Sequence, residues 1–273
     1  MLREMGLGPI WRLRGVPDHQ LIARPEEMRV SPADNDSPRN EAPPSSVSTY
    51  TTELKQRGGM PRPTSQENTV PTGDSVASNA QGNASRVAML DWPDLEQAIR
   101  DCNACVLCER RNMAVPGIGD RNADWLLVGE GPGAEEDRKG EPFVGQAGKL
   151  LDAMLGAIGL SRNKGIYIAN AVKCRPPGNR TPASEELAAC YPFLARQIAL
   201  LQPKLIIALG RPAAQVLLNR EIRISAERGV PHDYAGIPLI VTYHPAYLLR
   251  NQHDKAKAWA DLCLARRLVP PQV

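Results

Sequence analysis

Aromatic residues are scarce in this 273-residue chain, which has two Phe, four Trp and six Tyr, together 4% of the sequence. Hydrophobic residues still make up 42% of it, and there are 25 prolines. A sequence this poor in aromatics and rich in proline is not expected to pack along its whole length. We therefore expect one folded core next to a segment that does not fold.

Long apolar runs are also missing. No stretch approaches the roughly 18 residues that a membrane-spanning helix needs, so we expect no transmembrane segment and no membrane partner. The first residues, MLREMGLGPIWRLRG, lack the apolar region and small-residue cleavage site of a secretory signal, which predicts a cytoplasmic protein. The formal net charge of +3 is too small to indicate or exclude a nucleic-acid partner.

Branched apolar residues are few up to about residue 86, where Pro, Ser, Asn, Thr and Gly predominate. Such a segment cannot bury enough surface to offset a backbone entropy cost of about 1–2 kcal/mol per residue. We predict a disordered tail over residues 1–86, with a candidate short helix at 2–14. That helix is either a fraying terminus or a docking peptide for a protein partner.

From residue 87 to 273, short apolar segments bounded by Gly or Pro alternate with amphipathic ones. Strands are predicted at 124–129, 165–170, 204–210 and 237–243. Helices are predicted at 146–158, 181–201, 211–218 and 254–268, the second capped by Thr181 and starting at Pro182. This alternation predicts a single α/β domain of three layers, a four-stranded parallel sheet between helices, and we expect it to be a monomer.

The first predicted strand runs into Gly129-Glu130-Gly131-Pro132-Gly133, followed by three acids (Glu135, Glu136 and Asp137) and by Phe143. Glycines there let the backbone approach a ligand, and open α/β sheets bind ligands at the carboxyl edge of their strands. Acids and an isolated aromatic ring favour a binding site over a plain tight turn.

Gly129, Gly131 and Ala134 also satisfy the dinucleotide pattern G-x-G-x-x-G/A. That pattern needs a helix N-terminus free to bind pyrophosphate. Here the three acids would occupy the phosphate position, and Gly140 and Pro142 are expected to interrupt any early helix. We therefore set a nucleotide site aside.

Six cysteines in a chain without an export signal indicate metal ligands or buried thiols rather than disulfides. Four of them, Cys102, Cys105, Cys174 and Cys190, come from separate elements and suit either a tetrahedral zinc ion or an iron–sulfur cluster, between which their spacing does not choose. Cys108 extends the first pair toward a ferredoxin-like run that lacks its fourth member. The alternative interpretation of Cys190 is an ordinary buried helix residue. Cys263 is interpreted as a core residue.

His244 begins the segment HPAYLLR at the end of the last predicted strand. The carboxyl-edge rule places it on the same side of the sheet as the Gly129 loop and Asn170. A lone histidine is usually structural, but its position at a strand end before Pro245 favours a site.

These segments together carry a resemblance. GEGPGAEED, FVG-x-AG-x-LL, IAN-x-VKCRPP-x-NR and HPAYLLRN resemble the family 4 uracil-DNA glycosylases, over about residues 90 to 268. The resemblance implies a four-stranded parallel sheet between helices. It also implies a [4Fe–4S] cluster held by Cys102, Cys105, Cys174 and Cys190, with Cys108 as an extra thiol.

The implied activity is hydrolysis of the bond between deoxyribose and uracil in DNA, after the base has left the stack. Phe143 corresponds to the ring on which uracil stacks, and Asn170 to the amide that accepts from N3–H and donates to O4. His244 corresponds to the donor to uracil O2, and Glu130 to a carboxylate that orients water. Gly131 stands where other branches of the superfamily carry a water-positioning Asp.

The resemblance also implies supporting and DNA contacts. Glu136 and Gly131 are candidate substrate-binding residues, with Glu136 expected to hold Asn170. Leu248 is expected to be the wedge that enters the vacated stack. Arg175, Arg180 and Arg250 are candidates for phosphate contacts on single- or double-stranded DNA, or are plain surface arginines.

Two rival functions remain to be separated by experiment. One is a related branch that captures uracil-DNA covalently, which carries GEQPG and a basic insert before its histidine; this chain has neither. The other is a non-catalytic, zinc- or cluster-stabilised DNA-binding module, which would leave Glu130, Asn170 and His244 without a role.

Overall fold

Six short strands form one mixed sheet in this protein, described by a computed structural model that covers residues 84–270. They are β1 (Ile118–Gly119), β2 (Trp125–Gly129), β3 (Ile166–Asn170), β4 (Leu205–Leu209), β5 (Pro231–Tyr234) and β6 (Ile237–Thr242). Their order across the sheet is β1-β3-β2-β4-β6-β5. The four central strands are parallel, while β1 and β5 pair antiparallel at the two edges.

The predicted four-stranded parallel sheet is confirmed at the centre and wrong at the edges. The central strands are shorter than predicted by no more than one residue at either end. The missed strands carry no continuous apolar signal, because β1 has only two residues, one of them Gly119, and β5 (PHDY) is polar with no buried residue. Edge strands of this kind are held by pairing with their neighbour and do not need an apolar face.

From residue 92 to residue 270, the strands alternate with eight helices of at least four residues. They are α1 (Trp92–Arg100), α2 (Ala134–Lys139), α3 (Gln146–Ala157), α4 (Ser184–Leu201), α5 (Arg211–Leu218), α6 (Ile224–Glu227), α7 (Pro245–Arg250) and α8 (Lys255–Leu268). Short 3₁₀ turns lie at Val106–Glu109, Pro177–Asn179 and Gln252–Asp254. No helix among residues 84–270 is long and apolar enough to span a bilayer.

The central strands are buried on both faces, which gives three layers. Successive residues of β2 alternate between the layers: Trp125 and Leu127 pack with α3, α7 and α8, whereas Leu126 and Val128 pack with α4 and α5. This is why the central strands read as unbroken apolar runs rather than alternating ones. A third apolar cluster packs α1 against α4 and includes Cys174 and Cys190.

Helices α4 and α2 differ from the prediction. Helix α4 begins at Ser184 rather than Pro182, because the Glu186 carboxylate accepts from the backbone N–H of Ala183 at 2.8 Å and fixes the start there. Helix α2 forms where Gly140 and Pro142 were expected to prevent a helix; it lasts six residues and ends at Gly140, whose φ of 73° only glycine adopts readily.

The predicted tail over residues 1–86 and its short helix at 2–14 fall almost wholly outside the described residues. The first described residues, 84–87, form a helical turn that buries Val87 in the third cluster.

Candidate active site and cysteine cavity

A cleft of about 770 Å³ opens at the carboxyl ends of the four central strands. Each strand supplies a residue at or just past its end: Glu130 after β2, Asn170 at the end of β3, Arg211 after β4 and His244 after β6. The structure therefore brings together the three polar residues that the sequence singled out, as the carboxyl-edge rule predicts.

Gly129 allows Phe143 and Asn170 to meet at the end of β2. A Cβ atom at position 129 would lie 2.7 Å from Phe143 Cζ and would overlap Asn170 Oδ1. Any larger residue would push one of these side chains out of the cleft. The glycine is required for close approach rather than for an unusual backbone angle.

Phe143 is held in a strained but well-supported position. Its φ is 55°, its ring is buried, and it stacks on the His244 ring with centroids 5.4 Å apart. The Arg162 guanidinium donates to the Phe143 carbonyl at 2.9 Å. Gly148 of α3 lies so close to this carbonyl that no side chain fits there. A non-glycine residue at positive φ persists only where its surroundings fix it, so this ring is fixed in place.

Glu136 does not hold Asn170, and that part of the prediction is wrong. Its Oε1 atom accepts instead from the backbone N–H groups of Val144 at 2.9 Å and Gly145 at 3.0 Å. Through these two hydrogen bonds, helix α2 holds the backbone of the loop that carries Phe143. Because Glu136 also lines the cleft, its position as a candidate substrate-binding residue is unchanged.

Asn170 has a buried polar atom without a partner. The residue is 2% exposed, and its Oδ1 atom forms no hydrogen bond with any residue in 84–270. An unpaired buried amide oxygen costs about 1–3 kcal/mol, which a bound ligand can recover by donating to it.

His244 is the N-cap of α7, and its Nδ1 atom accepts from the backbone N–H of Ala246 at 3.1 Å. Burial, reinforced by the charge of Arg250, lowers the pKa of His244 to about 4 in spite of nearby Glu136. The ring is therefore neutral at pH 7. With Nδ1 accepting, its one proton is on Nε2, so His244 can donate a hydrogen bond without carrying charge.

Glu130 is partly buried at the mouth of the Gly129–Gly133 loop. Burial raises the pKa of its carboxyl, against the lowering effects of the Thr181 hydroxyl and the Arg211 charge. A carboxylate in such surroundings is a better proton acceptor than one in water.

Of the three arginines predicted to contact DNA, two line the cleft and one does not. Arg180 and Arg250 line the cleft, although Arg180 is paired with Glu186 through two hydrogen bonds of 2.8 and 2.6 Å. Arg175 lies outside the cleft lining, and its Nε donates to Asn179 at 2.7 Å.

Leu248 cannot act as an exposed wedge in this structure, because it is fully buried in the core between α3, α7 and α8. The next residue, Leu249, is 41% exposed. Helix α7 turns by 100° per residue, so counting four residues from His244 reached the buried face.

The sequence analysis gave no role to several cleft residues, among them an arginine and two tyrosines. Arg211 follows the end of β4, so the carboxyl-edge rule was sufficient to find it. Tyr243 and Tyr247 both line the cleft and stack with centroids 5.0 Å apart. Tyr243 ends a predicted strand and Tyr247 belongs to the segment HPAYLLR, but the sequence analysis gave neither residue a role.

The predicted cysteines converge on a second, small cavity beneath the 3₁₀ turn at Val106–Glu109. Its lining contains Cys108 as well as the four predicted ligands, Cys102, Cys105, Cys174 and Cys190. Among residues 84–270, no group of three or more His, Cys, Asp or Glu side chains is arranged to hold a single metal ion. Cys263 lies apart on α8 and is half-buried, so its interpretation as a core residue is wrong.

Several donors point at the sulfur atoms of this cysteine cavity. The Arg111 guanidinium donates to Cys174 Sγ at 3.0 Å, and the backbone N–H of Lys173 donates to Cys190 Sγ at 3.2 Å. Burial raises the pKa of Cys174 and of Cys190, so these thiols need a cation to ionise. Sulfur atoms surrounded by N–H donors are typical of iron–sulfur sites.

Lys173 is buried between the cleft and the cysteine cavity. Burial lowers its pKa to about 8, while Cys190 and Cys174, when ionised, raise it. Within the described range of 84–270 no carboxylate pairs with it, and both of its side-chain acceptors are neutral. A buried cation without a carboxylate suits an anionic group at the thiols, so these residues fit a thiolate-bound cluster.

Comparison with known proteins gives consistent matches. A family model described as the uracil DNA glycosylase superfamily matches residues 116–263. A type-4 uracil-DNA glycosylase of Thermotoga maritima is 44% identical over 165 residues, 60% of this chain and 85% of that protein. One of Pyrobaculum aerophilum is 41% identical over 183 residues, 64% of this chain and 93% of that protein. A type-5 uracil-DNA glycosylase of Thermus thermophilus is 36% identical over 159 residues, 46% of this chain and 72% of that protein.

Proposed function

Because the chain belongs to the uracil-DNA glycosylase superfamily, we propose that it is a DNA-repair enzyme that hydrolyses the N-glycosidic bond of deoxyuridine in DNA. The products are free uracil and an abasic site. The enzyme is monofunctional: it cuts this bond and leaves the DNA backbone intact.

The observation that carries this proposal is the unpaired Oδ1 atom of Asn170 in the cleft. Uracil N3–H donates to that oxygen, and uracil O4 accepts from the amide nitrogen of the same side chain. Cytosine has the opposite pattern on this edge, so it would leave both atoms of the amide unpaired. Mismatches of this kind discriminate by about 10⁴-fold or more.

The flipped base is expected to stack on Phe143, whose position is fixed by Arg162 and Gly148. As the glycosidic bond breaks, negative charge develops on uracil O2, toward which we infer that the Nε2–H of His244 donates. A neutral donor suits this role because its hydrogen bond strengthens as that charge grows. Glu130, with its raised pKa, is the candidate to orient the attacking water.

We also propose that Cys102, Cys105, Cys174 and Cys190 hold a [4Fe–4S] cluster. When bound, the cluster would serve as a structural cross-link between the Cys102 loop, the Cys174 loop and α4. The shared cavity and the donors to sulfur, one of them the backbone N–H of Lys173, support this assignment. Cys108 lines the same cavity and is the extra thiol.

We also infer the enzyme's location, oligomeric state and macromolecular partners. We infer that it acts as a cytoplasmic monomer on single- or double-stranded DNA, with Arg175, Arg180 and Arg250 contacting phosphates. Arg211 joins them as a cleft arginine. The predicted tail over residues 1–86 is a candidate binding segment for a protein partner.

The test uses purified full-length protein and oligonucleotides that carry one deoxyuridine, both single-stranded and opposite guanine or adenine. Released uracil is measured directly, and abasic sites are revealed by alkaline cleavage. Matched oligonucleotides with cytosine or thymine at the same position serve as controls, and a His244→Ala preparation accounts for contaminating host glycosylase.

Each rival predicts a different outcome in this assay. A covalent-capturing relative would give a protein–DNA adduct that survives denaturation, without free uracil. A DNA-binding module would bind the oligonucleotides and release nothing. Either result would contradict the proposed function.

A further inference from the structure

The segment from Asn170 to Cys174 connects the cleft directly to the cysteine cavity. All five of its residues are buried. Its backbone continues the pairing of β3 with the Gly129 loop, since Ala171 N–H donates to Gly129 O at 2.9 Å and Val172 N–H to Glu130 O at 3.2 Å. Because only three residues separate Cys174 from Asn170, a displacement of Cys174 would also move the backbone of Asn170.

Lys173 folds back along this segment. Its Nζ atom donates to the backbone carbonyl of Asn170 at 2.8 Å and to Gln197 Oε1 at 2.6 Å. Gln197, on helix α4, is oriented in turn because its Nε2 donates to Pro116 O at 2.8 Å. The backbone carbonyl of Lys173 accepts from Val115 N–H at 2.8 Å, so the residue is held at both ends.

Gln197 lies two helical turns beyond Cys190 on α4, and the two residues face the same segment. The Lys173 ammonium group thus bridges helix α4, which carries a proposed cluster ligand, and the peptide group of Asn170. Among residues 84–270, no other side chain donates to that carbonyl.

We propose that Lys173 is a positioning residue that fixes the peptide of Asn170 and thereby sets the uracil-reading amide in the cleft. This inference rests on the proposed function. Among residues 84–270 the Lys173 side chain donates only to the Asn170 carbonyl and to Gln197 Oε1, so it acts through Asn170. Because a displacement of about 1 Å in a positioning group can cost about 10²-fold in rate, loss of the clamp should be visible in catalysis.

The experiment compares full-length parent, Lys173→Met and Lys204→Met proteins. Lys204 is a matched control, since it pairs with Asp124 at 2.9 Å on an exposed surface at the opposite end of β4. Four quantities are measured: iron content, melting temperature, the single-turnover rate of uracil release and the inhibition constant for free uracil.

For Lys173→Met we expect parental iron content, a rate reduced by about 10-fold or more and an inhibition constant for uracil raised by a similar factor. A merely structural lysine would lower the melting temperature and the fraction of active enzyme, but the rate constant at saturating enzyme and the inhibition constant would stay unchanged. Lys204→Met should match the parent in all four measurements.

An iron-loaded, folded Lys173→Met protein with rate and inhibition constant within twofold of the parent would overturn the proposal. So would loss of iron from both Lys173→Met and the milder Lys173→Gln, because the lysine would then serve the cluster rather than Asn170. If the parent and Lys204→Met also release no uracil, the proposed function itself fails, which is a distinct result.

Discussion

The Nδ1 atom of His244 accepts a hydrogen bond from the backbone N–H of Ala246 at 3.1 Å. This one contact caps helix α7 and fixes the tautomer of the ring, since the single proton of the neutral imidazole must then lie on Nε2. The capping role and the donor role therefore belong to opposite nitrogen atoms of the same side chain. Substitutions can separate them.

Replacement of His244 by Ala should reduce the single-turnover rate of uracil release by about 10²-fold or more, with little change in DNA affinity. His244→Asn is the matched variant, because an Asn side chain can still cap Ala246 N–H but cannot place a donor where Nε2 lies. We expect the Asn protein to melt close to the parent and to be as slow as the Ala protein. A folded variant with a near-parental rate would remove His244 from the mechanism.

The pH dependence of stability should reveal the same histidine. Its pKa is about 4 in the folded protein and about 6.5 when unfolded. Between those values the unfolded chain binds a proton at His244 that the folded protein does not. The contribution of His244 to the free energy of unfolding therefore falls as pH decreases from 6.5 toward 4 and is constant above 6.5.

The measurement is the melting temperature of the parent and of His244→Asn at pH 7.5, 6 and 5. The parent should lose more stability than the variant as the pH falls. Parallel losses in the two proteins would mean that His244 is not a buried neutral group.

The strands that build the cleft could be predicted from sequence because they are buried on both faces. Trp125–Gly129 and Leu205–Leu209 are continuous apolar runs, and the rule that parallel strands present ligands at their carboxyl ends then placed Glu130, Asn170 and His244 together. The resemblance to uracil-DNA glycosylases is confirmed by the relatives and by the superfamily match.

Partners of long polar side chains could not be predicted in the same way. Glu136 bonds the amides of Val144 and Gly145, and Lys173 reaches Gln197, which is 24 residues away along the chain. Neither contact has a local spacing rule, because each depends on how two separate elements pack. Spacing also failed for Leu248, where the face of a short helix, and not the distance from His244, decides burial.

Replacement of Asn170 by Asp should weaken recognition of uracil. A carboxylate cannot donate to uracil O4 and repels it, so we expect uracil release to fall by roughly 10- to 100-fold and the preference over cytosine to narrow. Asn170→Asp and parent are compared on matched uracil and cytosine oligonucleotides. Unchanged uracil release with no gain on cytosine would show that Asn170 does not read the base.

Replacement of Cys174 by Ala should release most of the iron and lower the melting temperature, because the energy of cluster binding is part of the folding energy. Cys108→Ala is the control, since Cys108 lines the same cavity but is not among the four proposed ligands. It should keep parental iron content and visible absorbance. Loss of iron from Cys108→Ala as complete as from Cys174→Ala would mean that the ligand set is wrong.

Adjacent leucines on α7 provide a matched pair that separates packing from DNA contact. Leu248 is fully buried among α3, α7 and α8, so Leu248→Ala should cost about 2–5 kcal/mol of unfolding free energy. Leu249 is 41% exposed, and Leu249→Ala should change stability by no more than about 0.5 kcal/mol. Denaturant unfolding measures both values, and DNA affinity is measured on the same preparations. If Leu248→Ala is as stable as the parent yet binds uracil-containing DNA weakly, Leu248 leaves the core to contact DNA and its burial does not describe the working enzyme.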